Sequence, residues 1–353
     1  MTVLLVVLAL GFAYSMGAHY TGACMGMPHA LRAISAWRAL LLMAPLTVAG
    51  AALASHGVEH TVGHDLLTGA GLSVTGLVIV IGVAFGLTSL FNLWRVPTST
   101  IQILVFTVVG AGLAAGIGVH WSTIATLAIV WAAAPPAAAA LGYALTRLFD
   151  RVPTVRVQAR VTGAVLARAT TRPAGPFLAE RPGLAPSATA LGGPLATGLI
   201  TVGALASFTM GSNDVANATG SLVGTGTFSP LAAGIVGGLG LAAGVLTWGK
   251  PLLRKVAFDI VTVDRPMATA AQLVQAGVVL TAVAFGLFTS MNQALIGAMT
   301  GAAAARGRHT VHRSALYGVL RGWLVGPSAG LALGYLVTRL VAAGTGNHAL
   351  LTR

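Results

Sequence analysis

MGSNDVANATG, residues 210–220, sets one acid, Asp214, between two amides, Asn213 and Asn217, in a chain of 353 residues with only seven Asp and Glu. A degenerate copy, MGAHYTGACMG, occupies residues 16–26. Three further pairs keep the same order: HDLLT (64–68) with FDIVT (258–262), TSTIQ (98–102) with TSMNQ (289–293), and WAAAPPAAAALGY (131–143) with WLVGPSAGLALGY (323–335). The copies lie 191 to 194 residues apart throughout. One such match would carry little weight in so Gly- and Ala-rich a chain; four in order define an internal repeat.

The background of these motifs is strongly apolar. Hydrophobic residues make up 56% of the chain and charged residues 8%, against about 25% charged in a soluble domain. Apolar segments fall near 2–17, 37–55, 71–91, 101–117, 122–146, 194–210, 229–248, 268–288, 293–305 and 314–343. Roughly 20 apolar residues cross a bilayer core as a helix. LLVVLALGFA near the start lacks a basic leader and a cleavage site, so it reads as a first membrane helix in preference to a signal peptide. A single cysteine, Cys24, excludes an intramolecular disulfide framework.

The net charge of +13 would point to nucleic acid in a soluble chain. Here its placement argues otherwise. Arg32 and Arg38 fall between the first two segments, Arg95 in the third gap, and seven Arg from Arg147 to Arg181 in the fifth. Lys250, Arg254, Lys255 and Arg265 share the seventh gap, and Arg306, Arg308 and Arg313 the ninth; the even gaps hold no Lys or Arg. Cytoplasmic loops carry the basic excess, so the odd gaps face the cytoplasm and both termini lie outside. The lipid bilayer replaces nucleic acid as the expected partner.

Four regions follow: a first transmembrane repeat (1–148), an Arg- and Pro-rich cytoplasmic linker (149–193), a second repeat (194–343) and a short C-terminal tail (344–353). Five segments per half is an odd number, so the halves enter the membrane with opposite orientation, as in secondary transporters. The expected fold is an all-α polytopic membrane protein of two inverted repeats, with interrupted helices or re-entrant hairpins at the signature motifs. Gly211 and Gly220 flank the polar cluster and would permit such an interruption. A carboxylate in hydrocarbon usually serves an ion path. Helix N-termini favour anions, while carboxylate and amide oxygens favour a small cation. A site offering both suits co-transport of an oxyanion with Na⁺ or H⁺.

GSNDVANATGSLVGTG (211–226) closely resembles the signature of the inorganic phosphate transporter family, G-A-N-D-V-A-N-A. FGLFTSMNQALIGAMTGAAAARG (285–307) and NLWRVPTSTIQILVFTVVGAG (92–112) resemble that family's G-L-P-V-S-T-T-H-A-L-x-G block and its first-repeat copy. The resemblance implies transport of phosphate with Na⁺ or H⁺, or of sulfate as in related members. It places Asn213, Asp214 and Asn217 at the anion and cation site, with the coupling cation at Asp214. Ser290, Ser99 and Thr100 fall on the hydroxyls of the second block, and Asn292 and Gln293 on its Thr-His positions. No metal cofactor and no enzymatic activity are implied, and association as a homodimer stays open.

Departures from the pattern bear on coupling. Repeat one has His19 and Tyr20 where the family's Asn-Asp stands, and Ala23 in place of the second Asn; sulfate-carrying relatives also lack that first Asn-Asp. Losing one of two symmetrical acids favours coupling to one cation or to a proton, and a repeat this degenerate leaves a transport-dead sensor or a channel as the further alternative. His19 and Tyr20 either donate to the anion, with His19 a candidate proton carrier, or merely pack.

Other motifs are weighed against this reading. HGVEH (56–60) is a literal H-x-x-E-H, the spacing of inverted zinc peptidases, continued by His64; with no third ligand or groove nearby it reads as a solvated helix end, with incidental metal binding on the outer face as the alternative. Asp65 and Asp259 are either ion-entry acids or caps and partners for basic neighbours such as Lys255. Trp131, Trp323, Pro135 and Pro327 read as packing and kink positions, Arg321 as a residue snorkelling to the cytoplasmic face, and Cys24 as a small interface residue. No Walker A sequence supports drive by ATP.

Overall fold

The computed structural model describes residues 1–69, 71–155, 193–253, 263–307, 313–346 and 350–352. Twelve helices are named among them. The first half holds α1 (Thr2–His19), α2 (Thr21–Ala30), α3 (Ala36–Ala54), α4 (His56–His64), α5 (Val74–Trp94), α6 (Thr100–Ala115) and α7 (Trp121–Phe149). The second holds α8 (Pro194–Gly224), α9 (Pro230–Leu253), α10 (Arg265–Ala284), α11 (Met291–Arg306) and α12 (Arg313–Thr345). Most of the 149–193 linker, and the FDIVT motif with Asp259, lie outside the described residues.

Eight helical stretches among the described residues are long and apolar enough to cross a membrane, with α1 and α2 counting as one. Large apolar side chains such as Leu53, Ile129 and Leu324 are about 70% exposed. In water so much apolar surface would be a liability; against lipid it is the outer coat. The chain is an integral membrane protein. The fourth and ninth apolar segments are the exceptions to simple crossing, forming the 16-residue helices α6 and α11. Such a helix spans about 24 Å, short of the hydrocarbon core.

Both short helices start after a backward turn. Arg95 (φ 56°) ends α5, and Gly286 (φ 67°) follows α10, each in the left-handed conformation. Ser99 and Ser290 then cap α6 and α11, each accepting a bond from the backbone N–H three residues on. A break also falls at Tyr20 (φ −92°, ψ 1°), between α1 and α2. The signature in the second half behaves differently from expectation, because α8 runs unbroken from Pro194 through Gly224. Gly211 and Gly220 serve packing instead. A Cβ on Gly211 would lie 2.0 Å from Thr47 O, and one on Gly220 2.7 Å from Val62.

Helix pairing is reciprocal. α6 packs on α12 and α7 on α11; α1 packs on α9 and α3 on α8; α1 packs on α5 and α8 on α10. Glycines set the closest seams. Gly17 and Gly244 let α1 and α9 touch, with added Cβ atoms 1.9 Å and 1.8 Å from backbone oxygens, and Gly50 and Gly211 do the same for α3 and α8. Small residues at helix contacts are how membrane helices gain van der Waals packing without a hydrophobic driving force. The tail returns to the start of α5, where Ser73 N donates to Leu351 O at 2.9 Å.

Candidate functional site

The signature half of α8 is wholly buried from Thr209 through Ser221. Such a helix needs neighbours for its polar side chains, since an unpaired buried polar group is costly. Asn213 finds one in the loop before α11. Its Nδ2 donates to Thr289 O (2.9 Å), and its Oδ1 accepts from Thr289 N (3.2 Å). A two-point amide clamp thus fixes the approach to Ser290 and the N-terminus of α11. Trp131 adds a third point, with Nε1 donating to Phe288 O at 3.1 Å.

The first half repeats this arrangement with different chemistry. His19 aligns with Asn213, and Thr98 with Thr289. His19 Nε2 faces both Thr98 O (3.2 Å) and Thr98 N (3.4 Å). Asn92 Nδ2 is spent on Ser15, so its Oδ1 accepts from His19 Nδ1 at 2.5 Å. Nε2 is then an acceptor in the neutral ring, taking bonds from Thr98 N and from Asn292 Nδ2 (3.3 Å). Asn292 also donates to Thr98 O at 2.8 Å, so it ties the two halves together. His19 packs, but it packs as a clamp.

Tyr20, Thr100, Asp214 and Asn217 converge beyond these clamps. Tyr20 Oη bonds Thr100 Oγ1 at 2.8 Å and lies beside the Asp214 carboxylate. Asn217 Nδ2 reaches the same Thr100 oxygen at 3.5 Å and Met16 Sδ at 3.6 Å. Asp214 Oδ2 accepts from Asn213 Nδ2 at 3.1 Å. Asp214 Oδ1 and Asn217 Oδ1 are buried with no protein partner. Gln102 and Gln293, which occupy matching places in the repeat, exchange amide bonds of 3.3 and 3.1 Å across the middle.

All ten residues that the sequence singles out are therefore buried, on the two clamps, the two helix caps or this polar centre. Gln293 is paired through its side-chain amide, whereas Asp214, Asn217 and Asn292 each keep one buried oxygen without a partner. Sequence reasoning missed Asn92, which orients His19, and Thr98 and Thr289, whose backbones are clamped. A cavity of about 90 Å³ ends on Asn217 and Ser221 and runs between α4, α5, α6 and α8 to His64 and Gly71.

Such a fold and site define a polytopic helical membrane protein with a buried cluster fit for small ions. Residues 16–334 match the Phosphate transporter family (PHO4), and the chain belongs to that family. It is similar to the sulfate permease CysP of Bacillus subtilis, 26% identical over 95% of this chain and 86% of that one. It is 26% identical to the chloroplastic inorganic phosphate transporter 2-1 of Arabidopsis thaliana, over 94% of this chain and 71% of that one. A probable low-affinity inorganic phosphate transporter of Mycobacterium bovis is 30% identical over 93% and 75%. Among solved structures, a sodium-dependent phosphate transporter superposes with a TM-score of 0.82 at 20% identity, covering 97% of this chain and all of that one. At that identity the likeness speaks to the fold.

Proposed function

We propose that the protein is a secondary active transporter of inorganic phosphate, coupled to Na⁺ or H⁺, that alternates access around the Asp214 cluster. The observation that carries this reading is the pair of unpartnered, buried oxygens on Asp214 and Asn217 beside two capped helix N-termini. Acceptor-only oxygens suit a cation or a proton. The N–H groups opening α6 and α11 carry partial positive charge and suit an oxyanion. Ser99, Ser290, Thr100 and Tyr20 bring hydroxyl donors to the same region. Asp214 is the sole acid of the cluster, so one monovalent cation or one proton balances it.

His19, Asn213 and Asn292 hold the two helix ends in place, and Gln102 with Gln293 forms the seam between halves. A residue that pairs with its own repeat counterpart lies on a two-fold axis. That pairing and the reciprocal helix contacts support inverted repeats, and the Lys and Arg distribution supports termini outside and the linker in the cytoplasm. Sulfate is the second reading. It is favoured by the similarity to a sulfate permease and by the loss of the Asn-Asp pair at His19 and Tyr20.

Uptake of labelled phosphate and of labelled sulfate into proteoliposomes, with Na⁺ and pH gradients imposed separately, tests the proposal. Phosphate is expected to accumulate under one of the two gradients. Sulfate uptake alone would select the second reading, and no accumulation of either anion would overturn both.

A further inference from the structure

A second acid is fully buried besides Asp214. Glu59, in the H-x-x-E-H run, has no exposed surface, while His56, His60 and His64 of the same helix are exposed. The expectation of a solvated helix end therefore holds for the histidines and fails for Glu59, which turns inward onto α8. Among the described residues no three His, Cys, Asp or Glu side chains gather to hold a metal.

The surroundings of Glu59 suit the neutral form. Glu59 Oε1 lies 3.0 Å from Thr219 Oγ1, but that hydroxyl also lies 3.0 Å from Val215 O. Ser55, the other neighbouring hydroxyl, gives its proton to Ala51 O at 2.6 Å. Both are back-bonded hydroxyls whose protons have carbonyl partners one turn earlier. An ionised carboxylate finds only the Thr219 hydroxyl, which it shares with Val215 O, as a donor within hydrogen-bonding distance, and Oε2 has no partner. A carboxylic acid finds two oxygens to donate to.

The seam around it is tight. A Cβ on Gly63 would lie 2.7 Å from Gly220 O, and one on Gly224 would lie 2.6 Å from Gly63 O. The backbones of α4 and α8 are in direct contact at these glycines. The same helix supplies Val62, Gly63 and His64 to the wall of the cavity that ends on Asn217 and Ser221.

We propose that Glu59 is a proton-binding site separate from the Asp214 cluster, whose protonation seals α4 onto α8 and whose ionisation loosens the wall of the cavity leading to Asn217. The proposal rests on the transport reading only in calling that cavity an entrance. Burial pushes the Glu59 carboxyl up from 4.5 to about 7, against the smaller opposing pull of Thr219 and Ser55. With the folded value above the unfolded one, the sealed seam is fully favoured below about pH 4.5 and loses that proton-linked stability as pH rises through about 7.

Few other charges bear on it. The packed helices carry one titratable or charged residue each: Asp214 on α8, Lys250 on α9 and Arg265 on α10. Asp214 lies about 7.5 Å along α8 from Thr219. Lys250 is in the last turn of α9, and Arg265 opens α10 at the end opposite Val283, which borders Gly57. Arg38 sits near the far end of α3. On α4 itself the three histidines are exposed, His64 also lining the cavity, and His60 pairs with Asp65 at 3.3 Å.

The test labels the cavity wall. Ser221→Cys, in a Cys24→Ala background, is reacted with a membrane-impermeant maleimide in proteoliposomes across a pH series. Pairs with and without Glu59→Gln are compared at equal pH, so that the thiol's own ionisation cancels. At about pH 8.5 the Gln variant is expected to label roughly fivefold more slowly than its parent, and at about pH 5.5 at the same rate. Equal rates at both pH values would overturn the proposal. Thr219→Val supplies an independent variant. Losing a hydroxyl that favours the charged form should move the parent's labelling midpoint to higher pH, and an unmoved midpoint contradicts the proposal. Labelling needs no turnover, so a failed latch is distinguishable from a failure of anion uptake.

Discussion

Asp214→Asn is expected to lower gradient-driven anion uptake by about 100-fold or more while leaving the folded protein at least as stable as wild type. The two effects separate because the substitution removes a charge but keeps the shape. The Asn213 Nδ2 bond to position 214, 3.1 Å in the native protein, can be made equally to an amide oxygen. A buried charge without a full set of partners is a burden to the fold, and Asp214 Oδ1 has none. Bonds to a charged group are worth about 3 kcal/mol at the upper end, which corresponds to roughly 100-fold in rate. Uptake in proteoliposomes and thermal melting in detergent measure the two effects. Lost uptake with lost melting would mean a structural role only, and retained uptake would remove Asp214 from the coupling site.

The second large effect concerns packing. Gly211→Ala and Gly244→Ala should each destabilise the protein by about 2 kcal/mol or more, because the new methyl meets backbone that cannot step aside. The added Cβ would lie 2.0 Å from Thr47 O in one case and 1.8 Å from Tyr14 O in the other, so whole helices must separate. Gly86→Ala on α5 and Gly277→Ala on α10 are the controls. Nothing lies within 4 Å of a Cβ at either position, and alanine in an open helical site should gain about 0.5–1 kcal/mol. Melting temperatures that fail to separate the two pairs would show that the glycine seams do not hold the bundle.

The contrast between those glycines marks how far the sequence could be read. Gly17, Gly50, Gly211 and Gly244 look no different in composition from Gly86 or Gly277; only the neighbouring helix distinguishes them. Membrane class and the all-helical fold were legible because they depend on local hydropathy along one chain. The signature helix was not, since Gly211 and Gly220 permit a break as well as a close contact, and α3 and α4 decide in favour of contact.

Residue roles divide along the same line. Asp214 and Asn217 stood out as polar residues in an apolar stretch, and the structure leaves each with a free oxygen in the buried centre. His19 was visible as a departure, with donation and packing both open. Its service as a clamp on Thr98 needed Asn92, 73 residues away, to fix which nitrogen bears the proton. Glu59 was read together with the histidines, as part of an H-x-x-E-H run on a solvated helix end. Its place off the stripe of histidines was the available signal, yet the partner Thr219 lies 160 residues on.

The position of the bound anion is the most direct discriminator. Diffraction data collected near the arsenic edge from crystals soaked in arsenate, a heavier tetrahedral analogue of phosphate, would locate it. The expected result is one strong anomalous peak between the N-termini of α6 and α11, within hydrogen-bonding distance of Ser99 and Ser290 and lost in Asp214→Asn. A peak elsewhere in the membrane region, with none between those helix ends, would contradict the assignment of the site.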